Sequence, residues 1–224
     1  MGMTKAKFVP YRDFLELPEA DMRSRAEAFR ATMARRRSIR QFSTRAVDRS
    51  VIEECVRAAH SSPSGANMQP WHFVVVSDPS MKAEIRRGAE DEEREFYSGR
   101  AGEHWIKALE PIGTVPLKPF LDTAPYLILV FQKNYAISSN HQRLNHYYVP
   151  ESVGIAVGIL ISGLQHAGLS TLIHTPRPMG FLRRILKRPA NERACMIVVT
   201  GYPASDATVP VLKKKAFEDT ITFF

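Results

Sequence analysis

Three groups of residues in this chain have types and spacings that could do chemistry. The run Arg36-Arg37-Ser38-Ile39-Arg40 gathers guanidinium groups, whose paired donors match a phosphate or a carboxylate. A loop follows at Pro63-Ser64-Gly65-Ala66-Asn67-Met68-Gln69-Pro70-Trp71, where the glycine lets backbone N–H groups come close to a flat ligand. Further on, Glu93 and Tyr97 stand four residues apart, hence on one helix face, and Lys118 follows in an irregular stretch. Taken singly, the arginine run could be a solvated face, and Glu93 and Lys118 ordinary surface charges. Motifs for other chemistries are missing: there is no G-x-G-x-x-G, P-loop, H-E-x-x-H, C-x-x-C or G-x-S-x-G. His141 and His146 are spaced so that they do not share a helix face, which argues against a metal site.

The elements that must position these groups follow from periodicity. Met22, Ala26, Phe29 and Met33 recur at helical spacing, predicting a helix over Asp21–Arg36. A second helix begins at Asp48 or Ser50, with Glu53 completing a capping box, and buries Val51, Ile52, Cys55, Val56 and Ala59. Trp71–Val76 reads as a strand, Ser80–Phe96 as a charged helix, and Gly99–Asp122, broken by Pro111, Pro116 and Pro119, as a mobile excursion. Tyr126–Phe131, Leu169–Ile173 and Met196–Thr200 are expected strands. Ser152–Leu164 is apolar all round, with Gly154 and Gly158 one turn apart, which predicts a buried or interface helix that another helix could approach closely. It is shorter than the ~20 residues a membrane span needs. The apolar tail Thr220–Phe224 should be strand-like and covered by the body or by a second subunit. This order implies one α+β domain, 1–224, with a central mixed sheet flanked by helices.

The chain has 224 residues and carries a net charge of +8, so an anionic partner is expected: nucleic acid, a membrane surface or a phosphorylated cofactor. The basic residues fall into short separate clusters, not the aromatic-interleaved surface of a single-strand binder. Met1–Phe14 has no long apolar run, so a soluble, cytoplasmic protein is expected. The two cysteines, Cys55 and Cys195, sit in apolar surroundings and are read as small buried hydrophobes.

The arginine pentad together with P-S-x-x-N-x-Q-P-W resembles the flavin-binding signature of the nitroreductase superfamily. Glu93, Tyr97 and Lys118, with flanking Glu92, His104-Trp105 and Leu121-Asp122-Thr123-Ala124-Pro125, resemble the lid of the iodotyrosine deiodinases within it. The resemblance continues from Arg35 to about Phe217. It implies a nitroreductase-like fold in a domain-swapped homodimer, a lid at about 90–120 and a C-terminal extension at about 204–224. FMN would be held by Arg36, Arg37, Ser38, Ile39, Arg40, Pro63, Ser64, Gly65, Ile173, His174, Thr175 and Lys214. Thr175 would place its hydroxyl by flavin N5 as the catalytic contact. Substrate would meet the Ala66 N–H at its phenolate, and Glu93, Tyr97 and Lys118 at its amino-acid end, since a carboxylate accepts from an ammonium while a phenol and an ammonium hold a carboxylate. The implied activity is NAD(P)H-driven reductive dehalogenation of halotyrosines, with no nucleic acid, membrane or metal involved. The alternative is a general NAD(P)H-dependent nitroreductase or quinone-type flavin reductase. Two positions depart from the family: His174, where threonine is frequent, and Lys214, where arginine is, which reduces a bidentate phosphate contact to a point charge.

Overall fold

The computed structural model describes residues 6–224, so residues 1–5 of the N-terminal stretch lie outside the described residues. The chain divides into two compact units, Met1–Arg35 and Arg36–Phe224. The first contains helix α1, Glu19–Ala34, which starts and ends two residues before the expected bounds and buries none of its side chains. Its would-be core residues Met22 and Phe29 are exposed.

The second unit is built on a sheet. Helix α2, Arg49–His60, precedes strand β1, Trp71–Val76. Its N-cap is Asp48, whose side chain accepts from Ser50 N at 2.8 Å. Glu53 therefore lies too far into the helix to close a capping box, and instead accepts from Arg49 Nε at 2.6 Å. Helix α3, Pro79–Glu95, is capped by Asp78 and begins on a proline whose missing N–H would be unpaired there anyway. The stretch expected to be irregular instead folds into a short helix α4, Glu103–Leu109, several tight turns and a helical turn α5, Phe120–Thr123, whose Phe120 and Leu121 are buried. Strand β2, Tyr126–Lys133, is followed by a hairpin of β3, Tyr135–Ile137, and β4, Arg143–Asn145. Helix α6, Val149–His166, strand β5, Ser170–His174, the short helix α7, Gly180–Ile185, and strand β6, Glu192–Gly201, complete the unit.

The main sheet has the order β1-β2-β6-β5. All its named strands pair antiparallel, and the parallel character expected of a mixed sheet is confined to one bridge, Ser38 beside Thr171 on edge strand β5. Alternation along the strands divides the core into two layers. Ile128, Val130 and Val198 face α2 and α6, while Leu127, Leu129, Ile197 and Val199 face Ile85 and Ala89 of α3, Leu121 of α5 and Leu182 of α7. Close helix approach occurs at Gly163, where an added Cβ would lie 3.7 Å from Cys55 Sγ. Among the described residues nothing lies within 4 Å of a Cβ built at Gly154 or Gly158, so these two, with Ile155, form an exposed face of α6. Cys55 is buried and burial raises its thiol pKa; burial pushes that of Cys195 up to about 11, so both behave as inert apolar groups.

The tail is not strand-like and the body does not cover it: Phe217–Thr220 form a single tight turn, and Phe223 and Phe224 are exposed.

At the end of β6, Gly201 is buried against the ring of Pro125, and a Cβ there would fall 2.4 Å from Pro125 Cδ. A proline ring cannot swing away, so Gly201→Ala should lower unfolding stability by about 1–3 kcal/mol, read from urea denaturation midpoints at unchanged slope.

Candidate functional site

Parallel pairing of Ser38 with Thr171 is extended by a bond from Ile39 N to Thr171 O at 3.2 Å. It lays the arginine run along β5, with Ile39 anchored in the core and the flanking side chains turned outward. Running the same way as β5, the chain brings Arg40 level with the strand's last residues. Arg40, Ile173, His174 and Thr175 form one wall of a cavity of about 290 Å³, whose other wall is Glu93, Tyr97, Thr114 and Lys118. The residues singled out for lid and strand end thus meet in one place, although Arg40 and Thr175 lie far apart in the chain.

The lid side is built on α3 and the turn after it. Beyond Glu95 the chain widens into a π-turn, Phe96–Arg100, and Gly99 takes φ 152°, a conformation that suits glycine alone. Arg100 clasps this turn, donating to the Glu92 carboxylate at 2.9 Å and to the carbonyls of Glu92 and Arg177, each at 2.7 Å. Phe96 meets Tyr97 and Trp105 edge to face, closing the apolar rim.

Within that frame Lys118, 2% exposed, pairs with Glu93 at 3.0 Å. Its ammonium also donates to Thr114 Oγ1 at 3.1 Å and to the Val115 carbonyl, and Tyr97 OH donates to Thr114 O at 3.0 Å. Burial lowers the Lys118 pKa and Glu93 opposes that shift. Arg40 is lowered from its usual value, again by burial. Between them His174 is buried, edge to face with Phe120 at 5.5 Å, and its Nε2 has no hydrogen-bond partner among the described residues. Burial, reinforced by the charges of Lys118 and Arg40, lowers its pKa to about 3, so the imidazole stays neutral.

The remaining expected residues lie elsewhere. Ser64, Gly65 and Ala66 are not part of this cavity wall. Their loop packs on the start of α6, with Gly65 N donating to Ser152 Oγ at 3.3 Å and Gly65 lying so close to Tyr148 that a Cβ would fall 2.8 Å from its ring. Ala66, Asn67 and Gln69 all have positive φ, near 50°. Pro63 and Lys214 are exposed, and Arg37 reaches back to the carbonyl of Pro210. Among the described residues no cluster of histidine, cysteine or carboxylate side chains could hold a metal ion, and no helix is long and apolar enough to cross a membrane.

Sequence reasoning missed Lys82, Arg86 and Glu90, which knit α3 to the segment Lys118–Ala124. Their helical spacing was the available signal. Because His174 titrates lower folded than unfolded, the unfolded chain takes up its proton first as pH falls below about 6.5, and stability is lost in that direction. Down to about pH 5 the loss should be about 2 kcal/mol, and His174→Gln should abolish it in melts across that range.

The profile of the nitroreductase family matches residues 33–202. Iodotyrosine deiodinase of Haliscomenobacter hydrossis is 49% identical over 211 residues, covering 94% of this chain and 95% of the relative. Iodotyrosine deiodinase 1 of Homo sapiens is 43% identical, with 90% of this chain and 70% of the human protein covered. A crystal structure of oxidized iodotyrosine deiodinase bound to FMN and 3-iodo-L-tyrosine superposes with a TM-score of 0.73 at 29% identity, covering 87% of this chain and 100% of that one. With its paired Glu93 and Lys118 roofing the end of an arginine-flanked strand, this chain belongs to the nitroreductase family and, within it, to the iodotyrosine deiodinases.

Proposed function

We propose that this chain is an FMN-dependent oxidoreductase that removes halogen reductively from halotyrosines, drawing its electrons from NADH or NADPH in the cytoplasm. The buried pair of Glu93 and Lys118 carries the reading. A free amino acid is a matched replacement for that pair: its ammonium takes the place of Lys118 on Glu93, and its carboxylate takes the place of Glu93 on Lys118, with Tyr97 OH turning from the Thr114 carbonyl to join it. A ligand with only one charged end would leave one buried ion unpaired, a penalty of about 3–5 kcal/mol. The lid, about 90–120, would therefore select the zwitterion.

The donor set on the opposite wall fits a phosphorylated flavin. Of the expected donors, Arg40 lines this wall and Ser38 bridges to β5; Arg36 and Arg37, the latter now bound to the Pro210 carbonyl, would turn to the phosphate, and Lys214 would add a further positive charge from the extension 204–224. Thr175, exposed at the end of β5, would present its hydroxyl to the ring, beside Ile173 and the neutral His174. When bound, FMN supplies the electrons that cleave the carbon–halogen bond. The protein's own part is to hold the amino-acid end, keep water out beneath the Phe96–Trp105 rim, and stabilise the phenolate through the Ala66 N–H.

That last contact needs a second copy. The loop of Pro63, Ser64, Gly65 and Ala66 is not part of its own chain's cavity wall, so we assign it to the partner's site in a domain-swapped homodimer. The exposed Gly154, Ile155 and Gly158 face of α6 and the uncovered apolar tail support this assembly.

Titrating the yellow protein with 3-iodotyrosine should quench flavin fluorescence strongly, while a nitroaromatic of similar size should not. Glu93→Ala should weaken iodotyrosine binding by at least about tenfold and leave FMN retention unchanged. Turnover of nitroaromatics with no tightening by iodotyrosine would instead favour a general flavin reductase.

A further inference from the structure

Beneath the lid, α3 carries a row of ionisable side chains of which only Glu93 lines the cavity. Lys82, Arg86, Glu90 and Glu93 follow at steps of four, four and three residues, which places them in one stripe. Each binds the short segment that begins at Lys118. Buried Lys82 donates to the carbonyls of Asp122 at 2.9 Å and Ala124 at 2.8 Å. Arg86 bridges Asp122 Oδ2 at 2.6 Å and Glu90 Oε1 at 2.7 Å. Glu90, 8% exposed, uses that same oxygen to accept from the peptide N–H of Lys118 at 2.7 Å.

Lys118 is thus held to α3 at two heights. Its N–H sits on Glu90 and its ammonium on Glu93, three residues or about 4.5 Å further along the helix, a rise that a lysine side chain spans. Backbone anchoring has few alternatives here: in Pro116-Leu117-Lys118-Pro119 only Leu117 and Lys118 have an N–H, and Leu117 is exposed. Glu90 remains ionised in this role. Burial pushes its carboxyl upward, but the Lys118 N–H and Arg86 together hold it below the ordinary range.

We infer that Glu90 is a positioning residue for the amino-acid end of the substrate, because its bond to the Lys118 backbone sets the height at which the Lys118 ammonium faces Glu93. The inference rests on the zwitterion-binding reading above. A change at Glu90 should therefore shift discrimination between ligands with and without an amino-acid end, and leave ring binding alone.

The test compares 3-iodotyrosine with 2-iodophenol in flavin-quenching titrations of the FMN-loaded protein. Glu90→Ala should raise the iodotyrosine Kd by at least about tenfold and leave that of iodophenol within about twofold. Glu90→Gln keeps a carbonyl oxygen for the Lys118 N–H and should stay within about threefold of the parent. Equal losses for both ligands, unchanged iodotyrosine affinity in Glu90→Ala, or a Gln variant as impaired as the Ala variant would each overturn the inference. If Glu90→Ala does not fold, Glu90→Asp, with a shortened reach, should weaken iodotyrosine selectively, and an unaltered Kd would count against the role. A parent protein that itself fails to distinguish iodotyrosine from iodophenol overturns the zwitterion reading and this inference with it; a discriminating parent whose variants discriminate equally overturns this inference alone.

Discussion

The ion pair of Glu93 and Lys118 is the constraint around which this site is organised. Two opposite charges buried together are stable only while each keeps its partner and its remaining donors and acceptors are met. Thr114 and the Val115 carbonyl complete the ammonium's set, and Arg100 stiffens the turn beyond. The base under this arrangement is equally firm. Helix α3 presses Ile85 and Ala89 into the core, and at Gly88 it lies so near α7 that a Cβ would fall 2.4 Å from the Phe181 ring. The sheet fixes α7 and α3, α3 fixes the Lys118 turn, and that turn fixes the ammonium.

The same cavity places Arg40 and Lys118 beside His174, with Glu93 as the ion partner of Lys118. A third full positive charge there would disfavour both neighbours. Burial settles the matter by keeping His174 neutral, so that its unpartnered Nε2 is a polar atom without charge. What remains is a wall of net positive character, suited to an anionic phosphate on one side and a substrate carboxylate or phenolate on the other. The clusters at Arg183-Arg184 and Lys213–Lys215, which also contribute to the overall charge of +8, lie outside this cavity.

Much of this could be read from the chain. Trp71–Val76 announces itself as a strand through aromatic and β-branched residues, and α6 through an unbroken apolar run. Less legible were elements whose evidence lies outside themselves. Helices α4 and α5 are too short for periodicity to show, and three prolines conceal them. The acceptor role of Glu90 was hidden because its partner is a backbone N–H 28 positions away, which no side-chain pattern reports. The tail reads as a strand by composition, yet a strand needs a pairing partner, and the tail pairs with none of the named strands.

The loop at Ser64–Gln69 carries backbone strain that local contacts hold in place. Ala66, Asn67 and Gln69 each adopt a left-handed backbone conformation that costs a non-glycine residue about 1–3 kcal/mol and persists only where the surroundings over-determine it. Here they do. Ser64 Oγ accepts from Gln69 N at 2.9 Å, Ser64 O and Gly65 O accept from Asn67 N and Met68 N at 3.0 Å, and Tyr148, itself left-handed, covers Gly65. None of these bonds uses the N–H of Ala66. The loop is thus held by its own chain with the Ala66 N–H left outside these bonds, and in the homodimer proposed above that donor would face the partner's ligand.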